Sequence, residues 1–450
     1  RRNRFQGMAM TVTDNTGTSD PVLDELRTWL EDNWDPDITV EEWWQRLGLS
    51  GWAAPTLPET AYGKGLARSV GVRVQQEIAE FGALGAPGGL GLLLAAPTIA
   101  DHGTQEQVDT YVRDIVTGQK AWCQLFSEPG AGSDLAGLTT KAVKDGDEWV
   151  VDGQKVWTSL GQVADLGMLI ARTAPDQPKH QGITYFALDM HQPGVEVRPL
   201  REMTGHAMFN ETFLTEARVP DSAIIGPTNG GWAVTNSTLG HERAGLGAGG
   251  GSAAGGAATP GTVAGHLTRR AGDFVSERVK KRSAAGAGRR PGGQSASLLT
   301  GLARGNGTIT DPVIRQGLAQ LHTLGEIGRY NAERLKATRA SGGDIPGMAN
   351  IAKLGMSAIV RLQRDLGLAI VGPQGMLHAY EPPAQKVLDD ATGNPFLAAV
   401  TMTALYAQAP PIYGGTDQIQ RNIIGERVLG LPKEPNNDKV VPFSELPKNA

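Results

Sequence analysis

Three short segments carry residue types whose spacing suits chemistry. The first is Ser127-Glu128-Pro129-Gly130-Ala131-Gly132-Ser133-Asp134. Pro129 and the glycines impose an irregular loop beside a strand. Such a loop turns backbone N–H groups and hydroxyls toward a polar ligand, although an ordinary turn has the same composition. The second is Gln154-Lys155-Val156-Trp157-Thr158-Ser159, with a flat apolar face in Trp157 and a hydroxyl in Ser159. A core tryptophan is its plainer role. The third is Ile412-Tyr413-Gly414-Gly415-Thr416-Asp417-Gln418-Ile419-Gln420-Arg421. It ends a loop and opens a helix that Thr416 or Asp417 can cap, leaving N–H groups at a positive helix end. A capped surface helix would read the same way. Gly245, Gly247 and Gly250 match Gly-x-Gly-x-x-Gly. A dinucleotide loop needs a strand before it, and here a helical segment precedes, so close or loose helix packing is expected instead.

The elements that must position these segments follow from composition and periodicity. Of 450 residues, 60 are glycine, against an ordinary share of roughly 7%. No Gly-X-Y period runs through them, and 40% hydrophobic residues exclude a wholly disordered chain. The length gives ample material for a core. The formal charge of −5 weighs against nucleic-acid binding. The lone Cys123 excludes an intramolecular disulfide and a cysteine-based zinc site, and no metal is expected. A reducing cytoplasm fits this usage. The longest nearly apolar run, 88–100, is too short to span a bilayer, which needs about 20 residues. Met8 reads as a natural start, with Arg1–Gly7 an added remnant.

Residues 20–120 are expected to be helical. Asp20-Pro21 opens a helix as N-cap and N1, and Gly103-Thr104 precedes another. Helical patterns cover 70–81 and 105–116. From 121 to 231 short apolar runs at 148–153, 167–172, 183–189, 195–199, 212–214 and 217–219 read as strands of a β domain, with Asp152-Gly153 as a hairpin turn. Helices resume at Trp232 and recur at 312–339, 349–368, 395–407 and 417–429. A helical domain therefore spans 232–435, with an insertion at about 250–300 whose basic stretch, 266–290, is expected to be solvated or to meet phosphates. Residues 1–19 are expected as a disordered start or remnant, and 436–450 as a largely extended tail.

Taken together, Trp122–Lys141, Gln154–Ser159 and Gly415–Pro432 resemble the acyl-CoA dehydrogenase family, over roughly Val22 to Pro435. The resemblance implies an α+β fold: an N-terminal helical domain, a central β-barrel-like domain and a C-terminal four-helix bundle. It implies FAD as cofactor and an acyl-CoA thioester as substrate. It places Phe126, Ser127, Gly132 and Ser133 at the flavin, with Ser133 also reaching acyl-CoA. Trp157 and Ser159 match the residues beside the isoalloxazine, and Thr416 and Gln418 those near the adenine–phosphate part. Arg304 stands nearest to the family's Arg-x-x-Phe-Gly motif, here without the Phe, and Gly372 aligns with the family's glycine near the adenine. Tyr413 falls beside the substrate.

Many family members hold a catalytic Glu immediately before the Gly-Thr of the last motif. Here that position is Gly414, which keeps the backbone N–H offered to the thioester carbonyl but has no base. Isovaleryl- and long-chain-type members carry the base in a Leu-x-x-Glu-Arg motif instead. Leu239-Gly240-His241-Glu242-Arg243 matches it, so Glu242 is the expected base and Arg243 borders the pocket. An α-C–H is a weak acid, so its removal needs a carboxylate within reach and donors for the developing enolate oxygen. Glycine at 414 leaves room for a branched, cyclic or otherwise bulky acyl group. The resemblance also implies an electron-transfer flavoprotein as acceptor, and a homo-oligomer, dimer or tetramer, in which neighbours complete the FAD site. Two rivals stay open: a non-catalytic subunit of a mixed oligomer, and a flavin-dependent oxygenase or oxidase on the same fold.

Overall fold

The computed structural model describes residues 20–247, 265–275 and 293–447. The first element, α1 (Pro21–Asn33), starts as expected: the Asp20 carboxylate accepts the Val22 N–H at 3.1 Å ahead of Pro21. Thr39 caps α2 (Val40–Leu49) by accepting from Glu42 N–H. The helices α3 (Arg68–Phe81) and α4 (Ala96–His102) follow. Thr104 and Gln107 form a reciprocal capping box at α5 (Gln105–Gln107), which runs through a wide π turn into α6 (Arg113–Val116). Leu26, Leu30, Trp43, Trp44, Leu47 and Ile78 are fully buried between these helices.

Among the described residues seven strands form one curled sheet: β1 (Trp122–Leu125), β2 (Lys141–Asp145), β3 (Glu148–Lys155), β4 (Leu166–Arg172), β5 (Ile183–Asp189), β6 (Val195–Leu200) and β7 (Phe209–Pro220). The order is β1-β4-β2-β3-β7-β6, and β5 pairs with β4. Met168–Ala171 of β4 are wholly buried, since β1 lies parallel on one side and β5 antiparallel on the other.

Two expectations in this domain are corrected. Asp152-Gly153 is not a hairpin turn. The β2–β3 turn is made one Asp-Gly pair earlier, where Gly146 has φ +66°, and β3 continues to Lys155. Gly153 instead marks a register shift against β7, because a Cβ there would meet Thr140 Oγ1 at 2.4 Å. The two expected strands at 212–214 and 217–219 are one, β7. Glu216, at φ +53°, bulges in its middle, and its N–H is taken by Asp152 Oδ1 at 2.9 Å.

The next helix, α7 (Gly231–Gly247), leaves the sheet. It is followed by α8 (Gly293–Gly305), α9 (Pro312–Ala340), α10 (Met348–Val371), α11 (Pro382–Thr392), α12 (Leu397–Tyr406) and α13 (Asp417–Ile423). The expected helix over 395–407 is thus shorter, and that over 417–429 ends in a π turn, Ile424–Val428. Among the described residues two hydrophobic cores result. One joins the N-terminal helices, the sheet and α7, which enters through Val234, with Trp232 and Leu239 packed against it. The other, of Leu299, Leu318, Leu321, Leu366, Ile370, Leu397 and Val400, lies within the C-terminal helices.

Most of the expected insertion, together with 1–19, lies outside the described residues. Its segment 265–275 docks on the N-terminal domain. Val40 N–H donates to Arg269 C=O at 2.9 Å, Ala271 N–H to Ile38 C=O at 2.9 Å, and Ala271 is fully buried. Arg270 pairs with Asp37 and Asp273, so this part of the basic stretch already has protein counterions.

Candidate active site

The loop after β1 is held from beneath by a buried ion pair. Lys155 Nζ lies 2.9 Å from Glu128 Oε1 and 3.1 Å from Phe126 C=O, with no part of Lys155 exposed. The other Glu128 contacts are the Thr139 N–H (2.7 Å), the Thr139 hydroxyl (2.8 Å) and the Thr140 N–H (2.9 Å). Burial alone would raise the Glu128 carboxyl. The Lys155 ammonium and these donors outweigh it and hold the carboxyl down at about 2. The next donor along, Val156 N–H, reaches Ser127 C=O at 2.9 Å. Loop 126–140 and the segment 154–159 are therefore one unit.

Trp157 emerges from that unit. Its backbone sits at φ +63°, rare for a bulky residue. Thr158, buried next to it, exchanges both backbone hydrogen bonds with Asn210 at 3.0 Å and also accepts from Asn210 Nδ2 at 2.9 Å. This pairing over-determines the turn, and the strain displays the indole: Trp157 is 59% exposed, braced edge-on by Phe209 at 5.9 Å. Trp157 is thus not a core tryptophan. Phe126 is buried against Tyr185, Ser127 and Ser159 are half-buried, and Gly132 and Ser133 are exposed. A Cβ on Gly132 would meet nothing within 4 Å, so the loop faces open space.

Glu242 approaches the same strand from α7. Three polar contacts dock this helix on α4: Thr98 Oγ1 to Thr238 Oγ1 at 3.0 Å, His102 Nε2 to Ser237 Oγ at 2.7 Å, and His241 Nε2 to Asp101 Oδ2 at 3.0 Å. The Glu242 carboxyl is half-buried, with the Gln124 side chain of β1 beside it. Burial pushes Glu242 above the usual carboxylate range, and the Gln124 amide and Arg243 pull only partly the other way. Arg243 is exposed. Gln124 carried no motif signal, because its partner lies far along the chain and only the β1–α7 packing joins them.

The third segment is mounted on the C-terminal core. Thr416 caps α13 by accepting from Ile419 N–H at 3.1 Å. Asp417, almost wholly buried, is held down by Ser357 (2.8 Å), Lys353 (3.2 Å) and Arg361 (3.1 Å), which outweigh its desolvation. Gly414 and Gly415 take φ +62° and +77°. Gln420 fixes both, donating from Nε2 to the Gly414 and Gly415 carbonyls at 3.1 and 3.2 Å while accepting from Asn350 at 2.6 Å. Gln418 is exposed, and the Tyr413 hydroxyl bonds that of Tyr406. Arg304 and Gly372 are both exposed, flanking the bond from Asn306 Nδ2 to Ile370 C=O (2.6 Å) that joins the ends of α8 and α10.

A half-open cavity of about 510 Å³ lies where the β4–β5 loop, the start of α7 and the chain after α13 converge. His180 meets Trp232 edge-on at 5.0 Å, Gln181 and Asn236 offer amides, and Arg427, Lys433 and Lys439 bring three cations. Sequence reasoning missed this cluster because its members come from three separate stretches.

Three family models match in order: the acyl-CoA dehydrogenase N-terminal domain over 19–119, the middle domain over 123–216 and the C-terminal domain over 272–429. The chain belongs to the acyl-CoA dehydrogenase family. The acyl-CoA dehydrogenase IpdE1 of Mycobacterium tuberculosis is 32% identical over 392 residues, 87% of this chain and 88% of the relative. IpdE1 of Mycolicibacterium smegmatis is 31% identical over 437 residues, 91% and 97%. FadE34 of M. tuberculosis is 48% identical over 203 residues, but the match spans 45% of this chain and only 28% of that relative. Among solved structures, the ChsE4–ChsE5 complex from M. tuberculosis superposes with TM-score 0.62 at 26% identity, over 93% of this chain and 99% of that one. A structure described as the Tcur3481-Tcur3483 steroid ACAD gives 0.63 at 26%, over 92% and 97%.

Acyl-CoA dehydrogenases are FAD-dependent oxidoreductases, and the residues present fit the ring system of that cofactor. An exposed indole, locked by a strained turn, stands beside a loop with open space over Gly132. No described helix is long and apolar enough to cross a membrane.

Proposed function

We propose that this acyl-CoA dehydrogenase removes the α-proton of a branched, cyclic or polycyclic acyl-CoA thioester with Glu242 as the base. The observation that carries the reading is the half-buried Glu242 carboxyl, raised by burial and set beside Gln124 of the strand that leads into Phe126 and Ser127. A desolvated carboxylate is a stronger base than a solvated one and suits a weakly acidic C–H. Gly414, without a side chain, offers its N–H toward the thioester carbonyl, where enolate charge develops. Trp157, Ser127, Ser133 and Ser159 hold the flavin end, and Thr416 and Gln418 the far end of the cofactor. Bound FAD supplies the acceptor for a hydride from the β-carbon. The cavity of Trp232, Arg427, Lys433 and Lys439 suits a purine and its phosphates, and so receives the nucleotide end of CoA.

Two observations support a bulky acyl group: the missing side chain at 414, and relatives named as a steroid ACAD and as cyclohexane-1-carbonyl-CoA dehydrogenase of Syntrophus aciditrophicus, the latter 35% identical over 132 residues. The reduced enzyme passes its electrons to an electron-transfer flavoprotein. Exposed Tyr330 on α9 and Ile351 on α10, with Met376 and Leu377 just after α10, suit an oligomer. A second reading, one subunit of a mixed oligomer, is favoured by Gly414 and by the paired names of the ChsE4–ChsE5 and Tcur3481-Tcur3483 structures.

The test is anaerobic. The purified chain is mixed with a panel of straight, branched and cyclic acyl-CoA thioesters, and flavin absorbance is followed. Bleaching by bulky members, lost in Glu242→Gln, is expected. Turnover of short straight chains alone would overturn the bulky-substrate reading, and a chain that takes up flavin only with a partner added would favour the mixed oligomer.

A further inference from the structure

The chain after Glu434 does not trail from the last helix. It folds back across the β4–β5 loop: Phe443 N–H donates to Gln177 C=O and Ser444 N–H to Pro175 C=O, both at 2.9 Å, and Pro442 bridges Pro178. Two of its side chains then grip cations that themselves grip the ligand loop. The Phe443 ring lies 3.8 Å from the guanidinium of Arg172 and covers it, both residues being buried. Beneath the ring, Arg172 donates to Ala136 C=O at 2.6 Å, to Leu138 C=O at 3.4 Å and to Lys179 C=O at 2.6 Å. Asp438 pairs at 2.6 Å with Lys179 Nζ, whose other partner, at 3.0 Å, is Asp134, the residue after Ser133.

We propose that the C-terminal segment Asp438–Phe443 is a clamp that sets the position of the Ser133 loop, with Phe443 and Asp438 as positioning residues for acyl-CoA binding. The inference rests on the reading of Ser133 as a ligand contact. The physical argument is water exclusion. A buried guanidinium bound to backbone carbonyls holds them firmly only while solvent is kept from its open face. Phe443 covers that face, and the ring adds a cation–π attraction. Without the ring, water competes for Arg172, and the carbonyls at 136 and 138 loosen. Without Asp438, Lys179 loses one of its two carboxylates, and its hold on Asp134 alone is weaker. Both losses converge on the five residues that follow Ser133.

The test compares intact, flavin-loaded wild type with Phe443→Ala, Asp438→Asn and Phe443→Tyr by amide hydrogen exchange and steady-state kinetics. In the first two variants exchange across Asp134–Leu138 should accelerate by about ten-fold while β5 is unchanged, since the opening is local. KM for acyl-CoA should rise by about five-fold with kcat kept within about two-fold, a split that general destabilisation does not produce. Phe443→Tyr keeps the ring and should restore both. Unchanged exchange at Asp134–Leu138 overturns the clamp, and accelerated exchange with an unchanged KM overturns its service to the ligand. Should Phe443→Ala fail to fold, Asp438→Asn decides alone. A wild-type chain that no acyl-CoA bleaches defeats the dehydrogenase reading, while the exchange comparison still reports on the clamp.

Discussion

The side chain of Gln124, on β1, stands beside the carboxyl of Glu242, on α7. The amide favours the charged form of a group that burial drives toward neutrality. The acid limb of kcat/KM should therefore lie above the ordinary carboxylate range. Activity rises as pH rises through that limb, because the base works deprotonated. Replacing Gln124 with Leu removes a contribution that lowers the pKa, so the limb should move further up. A pH–rate profile of Gln124→Leu with its limb at or below that of wild type would refute the link.

Glu242→Gln should reduce kcat by roughly 100-fold or more, the usual worth of a positioned general base, without weakening the fold. A carboxyl whose pKa is raised in the folded state is stabilising below its unfolded pKa, and that contribution is lost as pH rises through the folded value. Above that folded value the ionised carboxylate is thus a burden that the amide lacks. The variant should melt no lower than wild type at pH 8, by scanning calorimetry.

Glu128 and Lys155 behave in the opposite sense. The Glu128 carboxyl, held at about 2, stabilises the fold above the unfolded carboxylate range, and the contribution disappears as pH falls toward that value. Lys155→Met leaves a buried charge without its partner, a loss of about 3–5 kcal/mol. Urea unfolding at pH 7 should show it, and flavin retention should fall in step, because the pair carries the loop that holds Ser127 and Ser133.

The cavity of Arg427, Lys433 and Lys439 has a selective signature. Arg427→Ala with Lys439→Ala should raise KM for acyl-CoA by roughly ten-fold, about 1.4 kcal/mol, and flatten its salt dependence. The same acyl group on pantetheine, which lacks the nucleotide, should be unaffected. An equal loss for both would move the phosphates elsewhere.

Gly414→Ala forces a Cβ onto a backbone at φ +62°, a cost of about 1 kcal/mol. Its unfolding midpoint in urea should fall accordingly, and Gly414→Glu should not rescue Glu242→Gln, because the Gln420 bonds leave that backbone little freedom to re-aim.

Local signals in the sequence translated well where the physics is local. Asp20, Thr104 and Thr416 cap the helices they precede, and the family motifs mark the loops that carry Ser127 and Ser133. The Asp-Gly pair at 152–153 reads as a turn by composition and has the same composition as the true turn at 145–146; only tertiary packing of Gly153 against Thr140 makes it a bulge. Trp157 reads as core by residue type, and the strained turn that exposes it depends on Asn210, on another strand. Glu242 was legible through its motif. Its partner Gln124, the clamp on Arg172 and the cationic cavity were not, since each depends on contacts between stretches that no periodicity connects.

Glu242 rides on the first hydrophobic core and Gly414 on the second. The proposed proton acceptor and carbonyl donor therefore belong to separately consolidated bodies, and the distance between them measures how well those bodies are docked. Mild denaturant that parts the cores before melting either would disarm the enzyme while its circular dichroism stayed native, making turnover the most sensitive gauge of that junction.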